Sequence, residues 1–167
     1  MGEDVDVLAR TALRRVASGV TVLTVCDGDL WHGTTVSAVV AISRDPVVVG
    51  VCLRRPSAFT AMAERSGAFS VNVLSDAQAP LAARFADPER PMGRAQFDGL
   101  SIAPDPETRA PLIGGCLAHL ACRLADRHAI GDHHMLVAHV VGGRHDHAGE
   151  PLLTFGGRLF NDRGATQ

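Results

Sequence analysis

The sequence contains no lysine and no tyrosine. All 16 of its basic residues are arginine. The absence of lysine excludes a lysine Schiff base and a P-loop lysine, and the absence of tyrosine excludes a tyrosine general acid. A genome with biased codons is the simplest explanation of both absences. Both absences limit the reactions that the protein can catalyse, but they do not point to a particular reaction.

A membrane span, a basic charge excess and a CxxC pair are also missing. No apolar run approaches the roughly 20 residues that a membrane helix needs, and the net charge of −2 argues against a nucleic-acid binder. The first residues, 1–4, are acidic, unlike those of a secretory leader. We therefore expect no membrane or nucleic-acid partner, a cytoplasmic location, and buried free thiols at the four cysteines. These are Cys26, Cys52, Cys116 and Cys122.

Two common active-site motifs are absent as well. The chain has no G-x-S-x-G segment, which excludes the nucleophile elbow of the α/β-hydrolases. It has no G-x-G-x-x-G segment after a strand, which excludes a Rossmann nucleotide site.

A length of 167 residues predicts a single domain over residues 1–167. Helical periodicity predicts three helices, over residues 4–18, 57–66 and 76–86. Runs of β-branched and apolar residues predict seven strands, over residues 20–25, 30–37, 47–53, 69–74, 117–124, 135–141 and 152–155. Because strands and helices do not alternate regularly, an antiparallel barrel with short helices at its ends fits better than a βαβ fold.

Two segments of this pattern carry further expectations. Residues 47–53 are apolar at consecutive positions, which predicts a central strand buried on both faces. Residues 87–99 contain two prolines, two glycines and scattered charge, which predicts a long loop. Long loops in compact domains are often functional.

The segment His32–Ala38 combines small residues with three hydroxyl groups. Gly33 would let the backbone approach a ligand closely. The hydroxyls of Thr34, Thr35 and Ser37 donate and accept hydrogen bonds without carrying charge. Such a strand suits a planar heterocycle edged with carbonyls and ring nitrogens, although a polar edge strand that binds nothing would show the same residues.

Two turns offer polar side chains. Arg54-Arg55-Pro56-Ser57 follows a strand and opens a helix, and guanidinium groups beside a helix N-terminus favour phosphate. A solvated turn with a capping serine is the alternative. In Gly131-Asp132-His133-His134 the aspartate could orient a histidine that hydrogen-bonds a carboxamide or a phosphate. A polar β-turn is the alternative there.

A metal site is a third possibility. His145, His147 and Glu150, followed by Gly156, have a cupin-like look, in which two His and one Glu bind a divalent metal. Their spacing departs from the usual motif, and a second motif with a further His is not visible. Residues 142–149 also fit a loose hairpin loop.

Seven segments match a known family in their order and spacing: residues 17–24, 32–38, 42–46, 51–53, 69–74, 78–86 and 131–133. In this order the chain resembles the flavin reductase-like family, the small NAD(P)H:flavin oxidoreductase component of two-component monooxygenases. The resemblance implies a mainly β fold, the split β-barrel of the FMN-binding type. It also implies a homodimer with flavin bound near the interface.

The resemblance implies a flavin site built from two groups of residues. The first would lie along the isoalloxazine ring and the ribityl chain: Thr34, Thr35, Val36, Ser37 and Ala38. The second would lie near the phosphate end: Cys52, Leu53, Arg54 and Ser57. Phe85 would sit close to the flavin pocket, and Phe160 stands where family members often have an aromatic residue. Without tyrosine, any aromatic cover must come from Phe85, Phe160 or Trp31.

Gly131, Asp132 and His133 match the family's pyridine-nucleotide motif, with His133 as the catalytic residue. The implied reaction transfers a hydride from nicotinamide C4 to flavin N5, and donors such as Thr35 and Ser37 would stabilise the reduced flavin. FAD or FMN and NADH or NADPH are all compatible. The reduced flavin would diffuse to a monooxygenase partner. The alternatives are a protein with tightly bound FMN that reduces another acceptor and a flavin-binding module without activity.

Overall fold

The computed structural model describes residues 2–145, 149–161 and 164–166. Within these residues the protein is mostly β, with three α-helices and two short 3-10 helices. The α-helices are α1 (Gly2–Leu13), α2 (Ala58–Ser66) and α3 (Ala79–Ala86), and the 3-10 helices are Asp76–Gln78 and Gly93–Phe97. In this part of the chain, no helix combines the length and the apolar character that crossing a membrane requires.

Thirteen strands are present in the described residues. The first seven are β1 (Ser18–Gly19), β2 (Thr21–Asp27), β3 (Leu30–Val36), β4 (Val39–Arg44), β5 (Val47–Arg54), β6 (Ala68–Val73) and β7 (Ile102–Pro104). The others are β8 (Pro111–Ile113), β9 (Ala118–Ile130), β10 (His133–His145), β11 (Leu153–Phe155), β12 (Arg158–Asn161) and β13 (Gly164–Thr166).

A seven-stranded antiparallel sheet forms the centre of the fold, in the order β3-β2-β6-β9-β10-β5-β4. A four-stranded sheet, β1-β11-β12-β13, and the pair β7-β8 flank it. Among the described residues no ladder joins the two edge strands, β3 and β4, of the large sheet. The mainly β class and the antiparallel pairing predicted from the sequence are confirmed.

The two longest strands extend further than the sequence predicts. Strands β9 and β10 have 13 residues each and meet at a two-residue turn, Gly131-Asp132. The sequence analysis ended β9 at Leu124 because the polar residues that follow it have no apolar pattern. Their backbone nevertheless stays in the ladder, since Ile130 pairs with His133 and Arg127 with Leu136 across the turn. Gly131 has a φ of 56°, a conformation that suits glycine in a hairpin turn.

The edge strand β4 was not predicted. Its sequence has an apolar run, residues 38–42, yet Val40 and Ile42 are half-exposed because β4 lies at the edge of the sheet. Because β4 covers one side of β5, the predicted central strand at residues 47–53 has a neighbour on each side but lies one strand from the edge.

The core has two parts, and β2 contributes to both. Leu23 and Val25 pack in the cluster under α2, together with Phe59 and Phe69. Val22, on the opposite face of the same strand, packs in the cluster under α3. Side chains alternate between the two faces of a strand, so β2 is buried on both. The sequence predicts burial on both faces for residues 47–53 of β5. The strand whose two faces are most completely buried is instead β2.

Buried polar groups cross the central strands beside these cores. Asn72 on β6 is fully buried, and its Nδ2 donates to the Val22 carbonyl at 2.9 Å and to Thr24 Oγ1 at 3.1 Å. The Ile113 N–H donates to Asn72 Oδ1 at 2.8 Å. All of these polar atoms are thus paired inside the protein, as buried polar groups need to be.

Helix α1 is shorter than predicted and carries an exposed apolar face. It ends at Leu13, and the next residues form turns with the Arg15 and Val16 N–H groups bonded three residues back. Val5 and Leu8 are each more than half exposed. The amphipathic pattern is present, but the described part of the chain leaves its apolar side largely exposed.

Candidate functional site

A groove of about 650 Å³ opens between β3 on one side and β5 with the start of α2 on the other. Its volume lies within the range of small-molecule sites. It brings together ten residues that the resemblance placed at the cofactors: Thr34, Thr35, Val36, Ser37, Ala38, Cys52, Leu53, Arg54, Ser57 and His133. It also contains residues that the sequence analysis did not name as binding residues: His32, Pro56, Ala58, Phe59, Pro88, Arg90 and Met92.

The two walls are joined by main-chain bonding near Ala38. The Cys52 N–H donates to the Ala38 carbonyl at 3.0 Å, which links the end of the β3 wall to β5. Past this bond, β5 runs on to Arg54 and the chain turns into α2. The residues predicted from two separate segments therefore face each other across one groove.

The predicted aromatic residues lie away from the groove lining. Phe85 is fully buried under β3 and packs against Phe97 with ring centroids 5.2 Å apart. Phe160 packs against Phe155 at 6.0 Å, and Trp31 packs edge-on against Phe97 at 5.6 Å. The aromatic ring that does line the groove is that of Phe59, from α2.

Gly33 is required by packing rather than by a ligand. A Cβ atom at this position would lie 2.5 Å from Phe85 Cε1 and 3.3 Å from Phe97 Cζ. The glycine therefore lets β3 lie directly on the two buried rings. The sequence points to Gly33 as a position of close approach, but it suggests a ligand as the neighbour. The actual neighbours, the two rings, are about 50 and 60 residues away in the chain and cannot be recognised from the local pattern.

The hydroxyl groups of the groove differ in what they can still donate. Thr35 Oγ1 donates to the Ala82 carbonyl at 2.7 Å, so its one O–H is already used and it can only accept from a ligand. Ser57 caps α2 by accepting the Thr60 N–H at 3.1 Å, which uses a lone pair and keeps its O–H. Thr34 and Ser37 also line the groove. Ser37 is thus a better donor than Thr35 for a carbonyl-edged ring.

His133 stands at the rim of the groove, held by the turn beside it. Its Nδ1 lies 2.7 Å from Asp132 Oδ1, and this hydrogen bond lowers the pKa of the Asp132 carboxyl. With the proton on Nδ1 donated to Asp132, the neutral ring presents Nε2 as an acceptor. Asp132 and Gly131 lie outside the groove lining, so they position His133 and do not line the groove themselves.

Two arginines connect this turn to the start of α2. Arg54 Nε lies 3.7 Å from Asp132 Oδ2, in a pair that is largely exposed. The Arg55 N–H donates to the Asp132 carbonyl at 2.9 Å, and the Arg55 guanidinium donates to the Gly131 carbonyl. The two turns that the sequence analysis singled out separately therefore form one bonded unit.

The opposite end of the groove holds a second histidine in a different setting. His32 is buried, and its Nδ1 and Nε2 lie 3.3 Å from Gln96 Nε2 and 3.2 Å from Arg90 Nη2. Arg90 also donates to the Gly33 carbonyl at 2.8 Å, and the Gly33 N–H donates to Gln96 Oε1 at 3.1 Å. Burial, with the Arg90 charge as a second cause, lowers the His32 pKa to about 4. This ring is therefore neutral at pH 7.

Sequence reasoning named the loop that carries Arg90 but not the residue. Residues 87–99 contain a turn and the 3-10 helix Gly93–Phe97, and they bring Arg90 and Gln96 to β3. The loop's length was the available signal. Nothing in the sequence distinguishes Arg90 from the other arginines, because its partners are about 57 residues upstream.

The metal hypothesis falls partly on residues that the structure does not describe. His147 lies outside the described residues, while Glu150 and His145 lie within them. Across residues 2–145, 149–161 and 164–166, no three His, Cys, Asp or Glu side chains form a group that could hold a metal ion.

All four cysteines are free thiols. Cys116 and Cys122 are buried, and burial raises their pKa values to about 11 and about 12. Cys26 and Cys52 are partly exposed, so the expectation of buried thiols holds for two of the four.

Comparison with known proteins gives consistent matches over nearly the whole chain. Residues 13–161 match the family described as flavin reductase like domain. The NADPH-flavin oxidoreductase of Streptomyces viridifaciens is 42% identical over 153 residues, 91% of this chain and 78% of that protein. The reductase component of 4-nitrophenol 4-monooxygenase/4-nitrocatechol 2-monooxygenase from Rhodococcus opacus is 33% identical over 150 residues, 90% of this chain and 77% of that protein.

A solved structure shares the fold. The NADH:FAD oxidoreductase SgcE6 of Streptomyces globisporus C-1027 superposes with a TM-score of 0.86 at 31% identity, covering 93% of this chain and 92% of that one. A second structure of the same protein, in complex with NAD and FAD fragments, gives a TM-score of 0.84 at 30% identity, over 92% of this chain and 90% of that one. The family match, these identities and the shared fold agree, and the chain belongs to the flavin reductase family.

Proposed function

We propose that this chain is an NAD(P)H:flavin oxidoreductase that binds flavin in the groove between β3 and β5 and the nicotinamide at the His133 rim. The observation that carries the proposal is the groove itself. One wall is Thr34–Ala38, the other runs from Cys52 to Ser57, and an oriented histidine stands where they open. Family membership supplies the chemical context for this arrangement.

The residues of the groove fit a flavin in their chemistry. Thr34 and Ser37 offer uncharged hydroxyls to a ring edged with carbonyls and nitrogens. At the other wall, the α2 N-terminus with its capping Ser57 and the exposed Arg54 favour a phosphate. Because the chain has no lysine, phosphate binding falls to arginine, hydroxyl and N–H groups.

When both cofactors are bound, they supply hydride transfer from nicotinamide C4 to flavin N5. The chain's own residues orient the two cofactors and shield them from solvent. Asp132 holds the His133 ring so that its Nε2 can accept a hydrogen bond, for which the carboxamide of a nicotinamide offers an N–H donor. The groove walls hold the flavin ring close to the bound nicotinamide. This proximity is the main source of the rate enhancement. The hydride step itself requires no proton from a side chain.

The reduced flavin is proposed to leave for a monooxygenase partner. This proposal is supported by a relative that is the reductase component of a nitrophenol monooxygenase. The groove is open at the His133 rim and lacks stacked aromatic cover from Phe85 or Phe160, which suits a flavin that exchanges.

The test is NADH or NADPH oxidation by the purified protein, with and without added FAD or FMN. Oxidation that requires added free flavin is the expected result. A yellow protein that is active without added flavin would instead support the second candidate, a prosthetic FMN with another acceptor. Flavin binding without oxidation of either nucleotide would leave only a flavin-binding module.

We also propose that residues 1–167 form one domain with the split β-barrel of the family. Two observations support this arrangement. The bond from Cys52 N–H to the Ala38 carbonyl extends the β4–β5 pairing to the segment that follows β3, and β2 is shared by both cores. A single unfolding transition in urea, seen alike by fluorescence and circular dichroism, would be expected of one domain.

A homodimer in a reducing cytoplasm completes the proposal. The apolar residues Val5 and Leu8 of α1 and Val40 and Ile42 of β4 are half or more exposed, and a second copy would cover them. The free thiols suit a reducing compartment. A light-scattering mass of one chain would contradict the dimer, and recovery of the protein outside the cytosolic fraction would contradict the location.

A further inference from the structure

We infer that Arg90 is the groove's anion-binding residue and that it takes the negative charge of the bound flavin, with His32 and Gln96 as the residues that position it. The inference rests on the proposed function, since flavin is the ligand. It concerns a residue that the sequence resemblance did not include. The negative charge belongs either to the reduced ring or to the flavin phosphate. In the second case the phosphate lies at Arg90 and not at the α2 N-terminus, and titration of riboflavin against FMN separates the two.

The two ring nitrogens of His32 face Gln96 and Arg90. Gln96 accepts the Gly33 N–H through Oε1 at 3.1 Å, which fixes the orientation of its amide and turns the NH2 group toward His32 Nδ1 at 3.3 Å. The Arg90 guanidinium, which only donates, faces the other ring nitrogen, Nε2, at 3.2 Å. A neutral imidazole has one acceptor nitrogen, so the His32 ring accepts a hydrogen bond from only one of these two donors. His32 therefore offers Arg90 at most one neutral partner and no negative charge.

The Arg90 guanidinium donates to two main-chain carbonyls, those of Gly33 at 2.8 Å and Asp87 at 2.7 Å. It also lies 3.4 Å from Gln96 Oε1. These partners are neutral. Among the described residues, no carboxylate oxygen lies within 4.0 Å of it.

Arg90 is partly buried and lines the groove with His32. Burial lowers the pKa of its guanidinium, and the negative charge of Asp87, whose carboxylate lies beyond 4.0 Å, offsets this only in part. A guanidinium in that position is stabilised by an anion that enters the groove. The carbonyls of Gly33 and Asp87 keep the guanidinium within reach of the groove.

The test compares flavin binding by the wild type and the Arg90→Gln variant, by titration of oxidised and anaerobically reduced riboflavin and FMN. A lost charge-assisted hydrogen bond corresponds to about tenfold weaker binding. If Arg90 binds the phosphate, the variant loses about tenfold for FMN and nothing for riboflavin. If it binds the reduced ring, the loss appears for both reduced flavins and for neither oxidised one.

Arg94→Gln is the matched control, since it removes the same charge from the same loop. Arg94 is exposed, lies over Trp31 at 4.1 Å and does not line the groove, so flavin affinity is expected to stay at the wild-type value. Equal losses in Arg94→Gln and Arg90→Gln would overturn the inference in favour of general charge. An equal loss for oxidised riboflavin, which is uncharged, would overturn it in favour of shape.

Two further measurements keep the test decisive if Arg90→Gln disturbs the loop. Arg90→Lys keeps the charge and should recover part of the affinity for the charged flavin form. Wild-type affinity for that form should fall with added salt, while affinity for uncharged riboflavin should not. Salt-independent binding of every form would contradict the inference.

The same titrations distinguish this inference from the proposed function. If the wild type binds flavin and Arg90→Gln binds every form equally well, the inference alone fails. If the wild type binds no flavin, the proposed function fails and takes the inference with it.

Discussion

The two ends of the groove each pair a histidine with an arginine, yet they are built in opposite ways. At the rim, His133 and Arg54 are both bonded to the Asp132 carboxylate, and the Arg54–Asp132 pair is largely solvated. At the inner end, His32 lies under the loop of residues 87–99 that carries Arg90, and the hydrogen-bond partners of the two side chains are carbonyl, amide and ring groups. The rim has a carboxylate in direct contact with its histidine, whereas the partly buried inner end has none within 4.0 Å of Arg90 among the described residues.

This difference shows that surroundings, not residue type, decide what a histidine does. Next to a carboxylate, the His133 ring has a fixed orientation. Buried beside a cation, the His32 ring is held neutral, and its pKa falls to about 4. The rim is therefore suited to a neutral polar ligand such as a carboxamide, and the inner end to an anion.

The largest expected effect is on stability in acid. The folded state lowers the His32 pKa from 6.5 to about 4, so the unfolded chain binds the proton more readily. The resulting stability is fully present above pH 6.5 and is lost as the pH falls toward 4, by about 3 kcal/mol. We expect His32→Gln to remove that part of the pH dependence of the unfolding free energy, measured by urea titration between pH 7 and pH 4.

His139→Gln is the control for this experiment, since His139 is exposed on β10. It should keep the wild-type slope. If both variants keep that slope, His32 is not the buried neutral group described here, and the contrast between the two ends would lose its basis.

A smaller effect is expected where the inner end rests on the core. Gly33→Ala would place a Cβ 2.5 Å from Phe85 Cε1, so the ring or the strand must move. Overpacking of this kind lowers the free energy of unfolding by about 2 kcal/mol. Gly19→Ala, in β1 with open space around it, is the matched variant and should change stability by less than about 0.5 kcal/mol. Urea unfolding of both variants measures the difference in the free energy of unfolding. Equal values for the two variants would mean that the Phe85 ring moves aside without a cost in stability.

The smallest effect is expected at the exposed rim and concerns binding rather than folding. His133→Ala should raise the KM for NADH about tenfold, the cost of one hydrogen bond of about 1.4 kcal/mol, with little change in the KM for flavin. Steady-state kinetics with each substrate varied in turn measure both constants. Asp132→Asn keeps an oxygen for the Nδ1–H and should have a weaker effect. Equal increases in both KM values would remove His133 from the nicotinamide site.

The sequence predicts the parts of this molecule that depend on local pattern. The mainly β class, the strands at residues 20–25, 30–37 and 69–74, and the groove walls at Thr34–Ala38 and Cys52–Ser57 follow from alternation, turn residues and family order. The parts that the sequence does not predict depend on distant partners. The end of β9 beyond Leu124 is held by its ladder with β10, and the buried position of Phe85 under Gly33 is set by a contact between distant residues. The place of Phe85 beside the flavin stays a prediction.

Arg90 shows the same limit within the site. It is one of 16 arginines, and its meeting with Gly33 and His32 is set by how the loop of residues 87–99 closes over β3. Residue type alone favoured Arg54 and Arg55, since they precede a helix cap. That Arg90 forms no direct ion pair among the described residues becomes visible only when every partner of the guanidinium is known.

The burial of β2 on both faces has a consequence for how the chain reaches its native pairing. A strand with one polar face resists a one-residue slip, because the slip would bury its polar side chains. Strand β2 has apolar residues on both faces, so hydrophobicity alone would tolerate the shifted alignment. Asn72 discriminates between the two: its amide meets the Val22 carbonyl and Thr24 Oγ1 only in the native register, and a slip would strand it unpaired in the interior. Asn72 thus favours the native alignment of β2 on β6, and Thr21 Oγ1, which donates to the Val36 carbonyl at 2.8 Å, does the same between β2 and the β3 wall of the groove.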